Sequence, residues 1–154
     1  MSRAFTRESD DDPGVVPERA VSAHPNLVTA AGLAALEAQV RSLEGERSAA
    51  RSAGDAAQRA RIERDLRYFA QRLASARVVP PAAAPDRVRF GVQVTVRRAG
   101  GGEQSFRLVG EDEADAARGL LSWVSPLAQA LLGHEPGDVV RFQSGELEIL
   151  GLEP

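Results

Sequence analysis

Apolar residues recur at helical spacing in two stretches of the chain. Leu33, Leu36, Val40 and Leu43 follow one another at steps of three, four and three residues. This spacing places them on one face of an amphipathic helix. A second stripe, Ile62, Leu66, Phe69 and Leu73, follows at steps of four, three and four residues. The pattern therefore predicts two similar helices, one after the other.

The residues around these stripes predict where the helices begin and end. Thr29 stands before the first stripe and is a plausible N-cap. The first helix can continue to about Ser52, and Gly54-Asp55 then offers a place to turn. No third helix follows to complete a bundle. An antiparallel helical hairpin is therefore favoured over two helices of a compact bundle.

Beyond the hairpin the pattern changes to a period of two. The prolines between residues 80 and 86 cannot continue a helix and favour an extended linker. Apolar and polar residues alternate from Val88 to Val96 and again around Phe106 and Leu108, with a glycine-rich turn between them. Such alternation is typical of half-buried strands joined in a hairpin.

Further short elements follow this strand hairpin. Three more strands are predicted at 120–124, 139–142 and 147–150. Between the first two, Ser125 is a candidate N-cap, Pro126 suits the first helical position, and Gly133 suits a helix end. We therefore predict an α+β protein with four segments: a flexible acidic tail (1–27), an antiparallel coiled-coil hairpin (28–79), a Pro-rich linker (80–86), and a small antiparallel β domain with one short helix (87–154).

Composition limits the function classes. There is no cysteine, which excludes disulfides and thiolate zinc sites, and no apolar run approaches the roughly 20 residues needed to span a bilayer. The charged N-terminus does not argue for export, so a cytoplasmic location is expected. The net charge of −3 hides a division, because residues 28–79 hold nine arginines against six acids and residues 86–154 hold seven against eleven. A basic module is joined to an acidic one.

The segment GLLSWVSPLAQALLGHEPGDVVRF, residues 119–142, resembles the GreA/GreB family of transcription factors, and the acidic VGEDEADAARG before it is similar to a family loop. The resemblance extends over almost all of 28–152. It implies a C-terminal domain folded like the FK506-binding prolyl isomerases, docked at the rim of the RNA polymerase secondary channel, with the hairpin inside the channel. By this likeness Ser125 and Pro126 belong to the polymerase-facing patch. Val124 stands where the family often has Asp or Asn.

The hairpin tip departs from the family. Cleavage-stimulating members carry Gly-Asp-x-x-Glu-Asn-Ala, whose two carboxylates help to hold magnesium. Here the sequence from Gly54 to Ala60 keeps Asp55, but the neutral Gln58 stands in place of the motif's glutamate and Arg59 follows it. The arm from Thr29 to Ser52 spans about 36 Å at roughly 1.5 Å per residue. Each arm looks about two turns shorter than those of the cleavage factors, as in the short-hairpin, Rnk-like relatives. We therefore expect a regulator with no catalytic residue, no metal site and no cofactor, in which Asp55 caps a helix.

Other interpretations stay open. The basic hairpin face formed by Arg61, Arg64 and Arg67 is either a solvated face or a contact for acidic channel walls, RNA or DNA. The chain as a whole is alternatively a coiled-coil adaptor. A prolyl isomerase-like enzyme is a further alternative, although a similar fold alone is weak support for catalysis. Trp123, the one tryptophan, is predicted to pack in the core.

Overall fold

The computed structural model describes residues 15–154. The acidic run at residues 8–12, on which the predicted acidic tail partly depends, lies outside the described residues. Within the described range, α helices and strands occupy the two modules predicted from the sequence. The α+β class, with a helical pair followed by a small β domain, is confirmed.

The two helices form the predicted hairpin. Helix α1 spans Ala30–Ala53 and α2 spans Ala56–Ser75. Thr29 caps α1, since its hydroxyl accepts a hydrogen bond from the Gly32 N–H at 2.9 Å. Gly54 ends α1 with a φ of +70°, a left-handed conformation that favours glycine. Part of each stripe packs between the helices: Leu43 of α1, and Ile62, Leu66 and Phe69 of α2, together with Ala50.

A short pair of strands closes the base of the hairpin. Strand β1, Leu27–Val28, pairs in parallel with β2, Arg77–Val78. The Arg77 N–H donates to the Asn26 carbonyl at 2.8 Å, and the Val79 N–H donates to the Val28 carbonyl at 2.9 Å. The sequence did not predict this pair, because two residues are too few to show a period of two.

The C-terminal module is a five-stranded sheet with the order β5-β4-β3-β7-β6. Its strands are β3 (Gln93–Arg98), β4 (Glu103–Val109), β5 (Leu120–Ser122), β6 (Val139–Phe142) and β7 (Gly145–Glu153). Neighbours are antiparallel except β4 and β5, which are parallel. Helix α3, Pro126–Leu131, contributes Ala128 and Leu131 to the core above this sheet.

Three predicted strands have other bounds in the structure, and the one predicted at 147–150 belongs to the longer β7, Gly145–Glu153. Residues 88–92 alternate as a strand should, yet β3 begins only at Gln93, because Gly91 adopts a φ of +85° and the Val92 N–H turns back to the Arg89 carbonyl. Val88 and Val92 are nevertheless fully buried. Strand β5 stops at Ser122 rather than Val124, where the chain turns into α3. In residues 15–154 no helix is long and apolar enough to cross a membrane.

Gly110 allows the two modules to approach closely. A Cβ atom at this position would lie 2.5 Å from the Leu27 carbonyl oxygen, although the backbone φ of −67° suits any residue. Gly110→Ala is therefore expected to destabilise the fold by about 1–3 kcal/mol through steric overlap alone. Urea unfolding followed by circular dichroism measures the change.

The matched control is Gly45→Ala in the middle of α1, where nothing lies within 4 Å of the added carbon. This change should stabilise the protein by about 0.5–1 kcal/mol, because alanine loses less backbone entropy in a helix than glycine does. Equal midpoints for the two variants would contradict the close approach at Gly110.

Candidate functional site

The start of α3 presents the residues assigned to docking by resemblance. Ser125 is the N-cap, with its hydroxyl accepting from the Ala128 N–H at 3.3 Å. Pro126 occupies the first helical position and is exposed. The Ser125 N–H donates to the Ser122 carbonyl at 3.0 Å, which ties the helix start to the end of β5. Ser125 and Pro126 therefore lie at the surface on a well-held turn.

Trp123 precedes this turn and differs from its prediction. The residue is only partly buried and lies outside the main hydrophobic core, because the chain leaves the sheet after Ser122. Its carbonyl accepts from the Gln129 side-chain amide at 2.7 Å. The indole meets the His24 ring edge to face, with centroids 6.0 Å apart. A residue of the N-terminal segment thus lies beside the turn that starts α3.

The hairpin tip is arranged for helix capping. One Asp55 carboxylate oxygen accepts from the Gln58 N–H at 2.9 Å, which makes Asp55 the N-cap of α2, as predicted. Gly54, Asp55 and Gln58 are exposed. Arg59 approaches Glu63 one turn further on, at 3.7 Å. The tip therefore presents one carboxylate, already engaged by the backbone, beside an arginine.

The predicted basic face of α2 carries its own acidic partners. Arg64 pairs with the neighbouring Asp65 at 2.8 Å. Arg67 pairs with Glu18, whose pKa is lowered chiefly by the hydrogen bond from that guanidinium. Arg61 is exposed on the same helix. The face is thus a mixture of charges in the described structure, rather than a continuous positive surface.

Arg72 is buried, unlike the other arginines of α2. Its side chain is 2% exposed, and its Nε donates to an Asp112 carboxylate oxygen at 2.5 Å. A second carboxylate, that of Glu111, lies 3.5 Å from the other end of the guanidinium. A buried arginine requires such partners, since an unpaired charge away from water is costly. The pair joins the hairpin to the acidic loop of the C-terminal domain.

Two further contacts surround this pair. The Tyr68 hydroxyl donates to the second Asp112 oxygen at 2.7 Å, and the pKa of Tyr68 is raised, first by burial and then by this hydrogen bond. The Thr29 hydroxyl donates to the Glu113 carboxylate, whose oxygens lie 2.7 and 2.8 Å away. We call the set Thr29, Tyr68, Arg72, Asp112 and Glu113 the elbow. It fixes the base of the hairpin to the loop after β4.

Sequence reasoning missed the elbow, although one signal was available. Arg72 stands three residues after Phe69, on the side of α2 that carries the apolar stripe, where a charged residue needs a partner. The partners are about 40 positions further along the chain, so the spacing of residues in α2 could not identify them. The predicted site residues themselves fall into two separate places, the α3 start and the hairpin, and the elbow connects the modules that carry them.

Together these features define a two-module protein, a helical hairpin held by a polar elbow on a small β domain with an exposed helix start. Comparison with known proteins identifies the class further. Residues 82–153 match the family described as transcription elongation factor, GreA/GreB, C-term. The GreA of Hyphomonas neptunium is 37% identical over 131 residues, which cover 72% of this chain and 83% of that protein. The chain belongs to the GreA/GreB family.

Other relatives match over a smaller part. The GreB of Neisseria meningitidis is 41% identical over 98 residues, and the match spans about 60% of this chain and 60% of that GreB. Among solved structures, GreA factor homolog 1 of Thermus thermophilus aligns with a TM-score of 0.42 at 20% identity, covering 85% of this chain and 100% of that one.

Proposed function

We propose that this protein is an RNA polymerase-binding regulator of transcription elongation. Its C-terminal domain docks on the polymerase through the α3 start at Ser125 and Pro126, and its hairpin enters the secondary channel. Family membership supports the proposal, since the relatives are named as transcription elongation factors. The observation that carries it is the exposed helix start on a domain that holds the hairpin through the buried Arg72–Asp112 pair.

A fixed elbow matters for such a function. A hairpin of about 36 Å acts at a distance from its docking point, so a small change of angle at the base moves the tip by many ångströms. The elbow contacts restrict that angle because each needs a particular donor and acceptor geometry. Docking at α3 then directs the tip towards one region of the partner.

We further propose that the tip does not stimulate transcript cleavage and that the chain supplies no catalytic group. Magnesium prefers hard oxygen ligands, and a second carboxylate strengthens its binding. Asp55 is engaged as a helix cap, and Gln58 contributes only a neutral carbonyl where the family has glutamate. Arg59 adds positive charge beside them, which opposes a divalent cation. We expect the arms to be shorter than those of cleavage-stimulating members, as the resemblance to Rnk-like proteins implies, so that the tip stays further from the polymerase active centre.

The experiment combines binding to purified core RNA polymerase with a transcript-cleavage assay on a backtracked complex. We expect saturable binding of the natural chain at micromolar concentration or below, with cleavage at the rate of polymerase alone. A Gln58→Glu variant should bind equally well. Restoration of rapid cleavage by this one change would show that the arms are long enough and that the glutamine alone silences the tip. Absence of binding would overturn the proposal and favour a coiled-coil adaptor.

A further inference from the structure

The segment from residue 15 to residue 26 contacts both modules. The Arg19 guanidinium lies over the Tyr68 ring, 3.9 Å from its centroid, and 4.9 Å from the centroid of Phe69. The same side chain approaches Asp65 at 3.5 Å, while the neighbouring Glu18 pairs with Arg67. A segment predicted as part of a flexible tail thus has specific cation–π and ionic contacts with the hairpin.

The same segment also reaches the C-terminal domain. His24 lies against the Trp123 indole, with the two rings at 77° to each other. Trp123 is two residues before Ser125, at the turn that starts α3. The N-terminal segment therefore connects the arginine-bearing surface of α2 with the margin of the proposed docking turn.

The two ends of this N-terminal segment are held by contacts that differ in burial. Asn26 is 5% exposed, and its side-chain amide donates to the Arg72 carbonyl at 2.6 Å and to the Ser75 hydroxyl at 3.2 Å. Towards the N-terminus the contacts are exposed: Glu18 keeps 63% of its side chain accessible and Arg67 keeps 56%. Exposed pairs of this kind contribute little to stability. The segment is thus held by buried contacts at Asn26 and by more exposed contacts before it.

We propose that residues 15–24, which we call the strap, compete with RNA polymerase for the surface that they cover, which includes Arg67 and Tyr68 on α2 and Trp123 before α3. This inference rests on the proposed function. In the closed state Glu18 occupies the guanidinium that an acidic channel wall would need, and His24 covers the indole beside Ser125. Polymerase must displace the strap before it binds this surface, so strap closure lowers the apparent affinity.

The charges of the strap complement those of α2. The strap presents an acid to Arg67 and a cation to Asp65, which matches the alternating charges on α2. Its aromatic contacts are made by Arg19 and His24, side chains that an incoming protein surface can replace with its own. The deeper contacts at Asn26 stay in place, because they belong to the fold of the hairpin base rather than to the strap.

The test uses the full-length double variant Arg19→Ala/His24→Ala. Trp123 is the one tryptophan, so its fluorescence reports strap closure without any polymerase present. We expect the emission to move to longer wavelength, acrylamide quenching to increase, and the affinity for core RNA polymerase to increase about fivefold. Arg141→Ala, at an 87% exposed side chain away from the strap, is the matched control and should change neither measurement.

Each other outcome contradicts the competition. An unchanged emission would mean that the strap is not closed in solution. A changed emission with unchanged or weaker polymerase binding would mean that the strap braces the fold and blocks nothing. Absence of binding by the natural chain and every variant would overturn the proposed function and the competition together, whereas measurable but equal binding would overturn the competition alone.

Discussion

Asp112→Ala should destabilise the protein by about 3–5 kcal/mol, the range for breaking a buried ion pair by removing one partner. The change leaves the Arg72 guanidinium, 2% exposed, with Glu111 at 3.5 Å as its remaining carboxylate. It also removes the acceptor of the Tyr68 hydroxyl. Because a domain of this size is stable by only about 5–15 kcal/mol, urea unfolding followed by circular dichroism should show a much lower midpoint.

Two controls separate the buried pair from general effects of mutation. Arg72→Met combined with Asp112→Leu removes both charges and should cost much less than Asp112→Ala, since no unpaired charge stays buried. Arg97→Ala removes exposed pairs with Glu103 and Glu148 and should leave stability nearly unchanged. If Asp112→Ala cost no more than Arg97→Ala, the elbow would not hold the two modules together.

Pro126→Arg should weaken binding to core RNA polymerase by at least about tenfold. The side chain is exposed at the first position of α3, so the larger residue fits without disturbing the core. In a docked complex it would place a longer side chain within the contact, where steric overlap and lost complementarity reduce affinity. Fluorescence anisotropy with labelled protein measures the change in affinity.

Val139→Arg is the control for this variant. Val139 is 56% exposed on the edge strand β6, in the same domain but outside the docking turn. Polymerase binding should be unchanged by Val139→Arg, and both variants should unfold at a urea concentration close to that of the natural chain. Equal loss of affinity in the two variants would mean that the α3 start is not the docking point.

Much of the hairpin was predictable from sequence because its determinants are local. The stripe from Leu33 to Leu43 has the helical period, Thr29 caps the first helix, and Gly54 supplies the left-handed residue that ends it. Ser125 and Pro126 likewise define the start of α3 from two adjacent positions. These features depend on neighbours in the chain, which a single sequence displays.

The missed features depend on residues far apart in the chain. Arg72 pairs with Asp112, which is 40 positions further along the chain, and the pairing of β1 with β2 brings residues 27 and 77 together. Val88 shows the alternation of a strand, but a turn at Gly91 interrupts the ladder before β3. A period describes which residues are buried and does not identify their partners. The docking residues were assigned by resemblance, since a helix start alone does not indicate a ligand.

The measurement that tests the central claim most directly is a competition on a backtracked RNA polymerase complex. A cleavage-stimulating GreA is added at a fixed concentration, and transcript cleavage is followed while this protein is titrated in. A docked hairpin with a silent tip should slow cleavage towards the rate of polymerase alone, and Pro126→Arg should require at least about ten times more protein for the same effect. Cleavage that stays at the GreA rate under saturating protein, or that accelerates, would contradict the account.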